Sequence, residues 1–222
     1  MAIRLTVLGA SGKMGKRIFE LADRDPEITV VHAYTRKQGD LLKSLSECDV
    51  AIDFTAPETL RDHLQAALNA GKALVIGTTG LSADEKRAIE EASQIIPILY
   101  SPNFSFGMAL CLDAAARFAE ALGSMGTIEI VETHHVHKKD APSGTAIALA
   151  GAVGVDSSSV RSVRQGEVIG EHTVIFKGEG EKIELRHVAL SRDVFAAGAL
   201  RAAKFLAGRG PRLYTLKDLL VF

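Results

Sequence analysis

For its first hundred residues the chain alternates short β-rich runs with segments of helical period, and few architectures accept that rhythm. IRLTVL (3–8) runs into Gly9, and KMGKRIFELAD follows with Met14, Ile18, Leu21 and Ala22 on one helical face. Further strands read at EITVVHAY (27–34), VAIDFT (50–55), ALVIG (73–77) and IPILY (96–100). PETLRDHLQAALNAG reads as a helix, with Leu60, Leu64, Ala67 and Leu68 inward and Gly71 as its stop. Ser82 and Glu85 form an S-x-x-E capping box that opens another. Strands and helices taking turns, joined by short connections, predict a parallel sheet with helices on both faces. A chain of 222 residues, 47% hydrophobic, is long enough to bury such a core without disulfide staples.

The rhythm changes near residue 105. A long helix reads over 106–122 and stops at Gly123, and TIEIVET then alternates as a half-exposed strand. HTVIFK (172–177) and KIELRHVAL (182–190) flank the turn GEGE and predict an antiparallel hairpin. VFAAGALRAAKFLAG (194–208) is a closing helix. The expected organisation is a parallel α/β domain of residues 1–105 and 193–222, and a smaller α+β domain of residues 106–192 with a mixed sheet. The serine-rich patch SSSVRSVR (157–164) reads as a mobile loop.

Charge and cysteine usage exclude several classes of function. Twenty-six basic residues face twenty-seven acidic ones, a formal net charge of -1, too balanced a field to argue for nucleic acid. Cys48 and Cys111 are too few for a secreted disulfide framework and too far apart for a zinc knuckle, so both read as reduced thiols. The N-terminus lacks the pattern of a signal peptide, and the most apolar run, AIALAGAVGV, is about half of what a bilayer crossing needs. These features predict a cytoplasmic protein with no membrane partner.

Gly9-Ala10-Ser11-Gly12-Lys13-Met14-Gly15 joins the first strand to the first helix. Glycines there allow a tight turn and close backbone approach, and the helix start offers free N–H groups to a pyrophosphate. The spacing is G-x-x-G-x-x-G rather than G-x-G-x-x-G, so its weight comes from the strand before it and the helix after it. The second strand ends Tyr34-Thr35-Arg36-Lys37, with no carboxylate to hold ribose hydroxyls. Arg36 suits a 2′-phosphate, which favours NADPH, while a plain solvated basic loop is the competing reading. Gly77-Thr78-Thr79 and Ser101-Pro102-Asn103-Phe104 follow the fourth and fifth strands, where open α/β sheets bind ligands, although turn chemistry favours the same residues.

The densest chemistry is Glu132-Thr133-His134-His135-Val136-His137-Lys138-Lys139-Asp140-Ala141-Pro142-Ser143-Gly144-Thr145. Ser143, Gly144 and Thr145 open a helix and suit a carboxylate, the lysines add positive charge, and a histidine supplies a proton donor or acceptor. If the stretch is extended, His134 and Lys138 share one face and His135 and His137 the other. An H-H-x-H metal site and a solvated basic loop are the other readings, the former weakened by mixed facing.

Taken together, GASGKMG, AIDFTAPE, VIGTTG, SPNFSFGM, the E-x-H-H-x-H-K-x-D-A-P-S-G-T-A segment and SRDVFAAGALRAAKFL resemble the dihydrodipicolinate reductase family of bacterial lysine biosynthesis over nearly the whole chain. The resemblance implies a Rossmann-like dinucleotide-binding domain, a mixed-sheet domain for substrate binding and oligomerisation, and a homotetramer. It implies reduction of a cyclic dicarboxylate, 4-hydroxy-tetrahydrodipicolinate, to tetrahydrodipicolinate with loss of water, using NADPH or NADH; from the histidine facing, no metal is expected. It assigns His134 as catalytic acid/base with Lys138 as its proton-donating partner. It places His135, Ser143, Gly144 and Thr145 at the substrate, Gly9 to Met14 at the pyrophosphate, and Gly77, Thr78, Thr79 and Ser101 to Phe104 beside the nicotinamide. The chain departs from many members in aligning Thr35 and Arg36 where an acid is usual, and in its short segment between Arg36 and Val50. Another nicotinamide-dependent reductase of an amino-acid-derived acid, or an NAD(P)H sensor without chemistry, are the alternatives.

Overall fold

The computed structural model describes residues 1–37, 39–123 and 126–220. Cα proximity divides the chain into two compact units, Met1–Phe104 with Asp193–Phe222, and Ser105–Arg192. The division falls before Ser105, not after it, because Ser105 caps the next helix: its hydroxyl accepts from the Met108 amide at 3.2 Å.

The first unit begins β1 (Ile3–Leu8), α1 (Lys13–Ala22), β2 (Ile28–Tyr34), α2 (Leu41–Ser46), β3 (Val50–Asp53), α3 (Leu60–Ala70), β4 (Ala73–Ile76), α4 (Ala83–Ser93) and β5 (Pro97–Tyr100). β3 and β4 are buried at every residue, as strands with helices on both faces must be. The helix signals lie where the sequence puts them. Gly71 ends α3 in the left-handed conformation at φ 62°, and Ser82 and Glu85 make both bonds of the capping box. The short α2 had no reading in the sequence; Asp40 caps it by accepting from the Lys43 amide at 3.1 Å.

The second unit runs α5 (Phe106–Leu122), β6 (Thr127–His134), α6 (Gly144–Val153), β7 (Arg161–Arg164), β8 (Glu171–Lys177) and β9 (Lys182–Val188). Its sheet has the order β7-β6-β8-β9, with β7 parallel to β6 and the other pairs antiparallel. Met108 and Ala115 of α5 and Leu149, Ala150 and Val153 of α6 pack with Ile130, Val174 and Phe176 of the sheet. The expected mobile loop at 157–164 is instead a 3-10 turn (Ser157–Ser159) followed by β7. Val160 is 8% exposed in this core, and Arg161–Arg164 pair with Val131–His134. Serine-rich composition hid a strand whose partner is distant in sequence.

The chain then returns to the first unit with α7 (Asp193–Leu206) and β10 (Arg212–Tyr214). The completed sheet is parallel throughout and ordered β10-β5-β4-β3-β1-β2. Its strand order reverses between β1 and β3, which is where sheets of this kind open a crevice at their carboxyl ends. Ala196, Ala199, Ala202, Ala203 and Leu206 line the buried side of α7. Gly198 lets it approach Phe104, whose carbonyl oxygen would lie 1.8 Å from an added Cβ. Lys204 ties α7 to the β1–α1–β2 region through Asp25 (2.9 Å) and Glu27 (2.8 Å).

Candidate active site

In the first unit the glycine loop stands at the strand-order reversal. Gly9 has φ 79° and, with Ala10, donates its amide to the Tyr34 carbonyl at the end of β2. A Cβ on Gly9 would come within 2.7 Å of the Thr55 methyl, and one on Gly15 within 2.2 Å of the Gly9 carbonyl oxygen. Gly12 occupies the N-cap of α1 and supplies no side-chain cap, and the first turn carries no acid. A helix start left without a capping side chain, reached over a loop that has no Cβ at Gly9, Gly12 and Gly15, fits a pyrophosphate. Ser11, Gly12 and Lys13 are exposed beside it, and Arg36 is exposed past the end of β2.

The segments after β4 and β5 hold a mixture of roles. Thr78 is 3% exposed and its hydroxyl is buried without a partner, an orphan that an amide of a bound group would satisfy. Thr79 and Pro102 are exposed. Gly77 makes room for the Phe54 ring, which would lie 2.3 Å from a Cβ there. The Ser101 hydroxyl turns back to the Asn103 carbonyl at 2.5 Å. Phe104 is 1% exposed and its ring packs on Phe54 with centroids 5.4 Å apart, which leaves its backbone as the part that could border a ligand.

In the second unit the alternation of β6 turns Ile130, Glu132 and His134 inward. His134 Nδ1 lies 3.0 Å from Glu132 Oε2, without the alignment of a full hydrogen bond. Glu132 Oε1 accepts from the Ser143 amide and from Arg164 Nη2, each at 3.1 Å. Burial alone would raise the Glu132 carboxyl, but the contacts from His134, Ser143 and Arg164 prevail and hold it well below the usual carboxylate range. His172, directly opposite Glu132 on β8, stacks edge-on against His134 with centroids 5.1 Å apart. Burial pushes His172 down to about 3, with His134 adding to the shift and Glu132 opposing it.

The extended reading of the segment after His134 fails. The Lys138 amide donates to the His135 carbonyl at 3.1 Å and the Val136 amide to the Gly166 carbonyl, so the chain turns at His135. The turn brings Lys138 Nζ to 2.8 Å from Asp140 Oδ1, and brings the His135 and His137 rings to 6.2 Å. Ser143 does not present free groups: its amide serves Glu132, and its hydroxyl accepts from Ala146 and lies 3.3 Å from His172 Nε2. Gly144 is exposed at the first turn of α6 and Thr145 follows it. Among the described residues, Glu132, His134 and His172 have potential ligand atoms within 4.8 Å of one another, a different trio from H-H-x-H. The Arg164 guanidinium already supplies positive charge to that carboxylate.

Residues 3–104 match the family model for the N-terminus of dihydrodipicolinate reductase, and residues 107–220 the model for its C-terminus. The chain belongs to the dihydrodipicolinate reductase family. A 4-hydroxy-tetrahydrodipicolinate reductase of Pseudomonas fluorescens is 40% identical over 263 aligned positions, covering 98% of each chain. One of Acinetobacter baylyi is 36% identical, covering 99% of this chain and 96% of its own. These alignments are longer than the 222 residues here, so this member of the family is compact. The dipicolinate-bound dihydrodipicolinate reductase from Paenisporosarcina sp. TG-14 superposes with a TM-score of 0.80 at 25% identity, covering 99% of this chain and all of that one. An aspartate semialdehyde dehydrogenase from Vibrio cholerae, at 13% identity and a TM-score of 0.59, shares the fold alone.

Within this reductase family member, Glu132, Arg164 and His172 are the polar residues around the histidine segment that sequence reasoning left without a role. The signal was present: an acid in TIEIVETH and a histidine in HTVIFK fall on the face that alternation assigns to the core. Arg164 carried no such signal, because its strand was not recognised.

Proposed function

We propose that this chain reduces 4-hydroxy-tetrahydrodipicolinate to tetrahydrodipicolinate with loss of water, drawing the hydride from NADPH or NADH. The observation that carries the reading is family membership over both units, joined to a histidine–lysine turn beside the exposed start of α6. One hydride and one proton enter the ring as one water leaves. The bound nicotinamide supplies the hydride. The residues of this chain hold the two carboxylates and deliver the proton.

His134 is the assigned proton donor to the ring carbon next to the one that receives hydride, with Lys138 keeping positive charge close by. Lys138 pairs with an exposed Asp140, a contact weak enough for a substrate carboxylate to replace. Gly144 and Thr145 hold one carboxylate at the positive end of α6, and His135 contacts the substrate from the turn. Ser143 shapes that helix start as its cap. Gly9 to Met14 seat the pyrophosphate, Gly77, Thr78 and Thr79 with Ser101 to Phe104 border the nicotinamide, and Arg36 takes a 2′-phosphate. A homotetramer built through the second unit is supported by the apolar residues Ile183, Val188 and Leu190, all exposed in a single chain. A cytoplasmic setting agrees with the two unpaired thiols, Cys48 and Cys111.

Steady-state kinetics with both nicotinamides on the cyclic substrate test the reading. His134→Gln and Lys138→Ala should each lower kcat by at least about a hundred-fold while cofactor affinity holds. Arg36→Ala should raise KM for NADPH alone. Normal turnover by either of the first two variants overturns the catalytic assignment.

A further inference from the structure

Resting on that reading, we propose that the Glu132–Arg164 ion pair is a positioning frame that sets His134, the start of α6 and the Lys138 turn in one geometry. Glu132 is fully buried on β6, and Arg164, 20% exposed, stands opposite His134 in register on β7. One carboxylate oxygen meets His134 Nδ1 at 3.0 Å; the other holds the Ser143 amide at 3.1 Å. The guanidinium reaches that same oxygen and binds the Lys138 carbonyl through Nε at 3.3 Å and the Asp140 carbonyl through Nη2 at 2.5 Å. Two side chains therefore tie together three segments that the proposed chemistry uses and that no regular hydrogen-bond ladder connects.

A buried ion pair adds little net stability compared with apolar residues of the same size, so its worth here lies in what it orients. A carboxylate facing Nδ1 favours the tautomer that carries its proton there, leaving Nε2 to exchange protons. Gly170 keeps Nε2 clear, since a Cβ there would stand 3.2 Å from it. His134 and His172 are the titratable groups facing Glu132 among the described residues, and His172 approaches Glu132 Oε2 only to 3.9 Å.

The test is a double-mutant cycle on the full chain, read as kcat and as KM for NADPH, with melting curves to confirm folding. Glu132→Gln should lower kcat at least about ten-fold with KM for NADPH held within about two-fold, and Glu132→Asp should recover part of the loss. Combined with His134→Gln, it should be no slower than His134→Gln alone, because a glutamine can still accept from the Ser143 amide and the loss falls on that imidazole. Should Glu132→Gln fail to fold, Arg164→Lys keeps the charge facing Glu132 but loses the carbonyl bonds. It should lower kcat, with no further loss in Lys138→Ala. Full activity of Glu132→Gln, or losses that multiply in either double variant, refutes the frame. Full activity of His134→Gln refutes the proposed reaction role instead, and so separates the two failures.

Discussion

Replacing His172 with glutamine should flatten the acid side of the stability curve. His172 is 4% exposed, and burial holds its folded pKa at about 3 against 6.5 for the free side chain. Between those values the unfolded chain binds the proton and the folded chain does not. The stabilisation is therefore complete above pH 6.5 and is lost as acid is added toward pH 3. From about pH 7 to about pH 5 the loss amounts to about 2 kcal/mol, at roughly 1.4 kcal/mol per pH unit below the unfolded value. For a chain of this size that corresponds to about 4–8 °C in Tm. Glu132 works in the same direction, but only below its ordinary value of 4.5, outside this interval. His135 and His187 are also lowered by burial and are present in both proteins. Melting curves of the wild type and His172→Gln at the two pH values give the answer. Parallel declines in Tm would show that the imbalance does not reside at His172, and the reasoning from its burial would fall.

Other substitutions probe single contacts. Gly15→Ala places a Cβ 2.2 Å from the Gly9 carbonyl and should displace the loop, weakening NADPH binding at least about ten-fold in a fluorescence titration; unchanged affinity would remove the pyrophosphate from this loop. Thr78→Val should leave Tm unchanged or raised, because it deletes an unsatisfied buried hydroxyl, while NADPH affinity falls about five-fold; a loss of Tm with intact affinity would make the hydroxyl structural. Gly198→Ala drives a Cβ against the Phe104 carbonyl and should cost about 1–3 kcal/mol in chemical denaturation, with a cost under about 0.5 kcal/mol showing that α7 can shift freely.

The parallel sheet was legible because its evidence is local. IRLTVL, VAIDFT and ALVIG are apolar enough to be buried on both faces, and Gly71, Ser82 and Glu85 mark helix ends by their own chemistry. The strand β7 was not legible, since RSVR has weak alternation and is held by pairing with a β6 thirty residues away in sequence, roughly. Phe104 shows what position alone leaves open: it follows β5, where ligands bind, yet its ring packs on Phe54, so only its backbone remains to face a cofactor. The period-two pairing of His134 with Lys138 required an extended chain, and it does not hold because the chain turns just after β6, where the Lys138 amide bonds the His135 carbonyl.

The order of residues along the chain was enough to set which segments are strands and helices, where a nucleotide loop could form, and that His134, Lys138 and the serine–glycine–threonine turn lie close in sequence. Each of these follows from periodicity, from glycine's freedom or from short separation. Which groups surround His134 was decided only by folding. Glu132, Arg164 and His172 converge because β6, β7 and β8 align in one register, and the energy of a buried charge depends on every neighbour that register supplies, however far away along the chain.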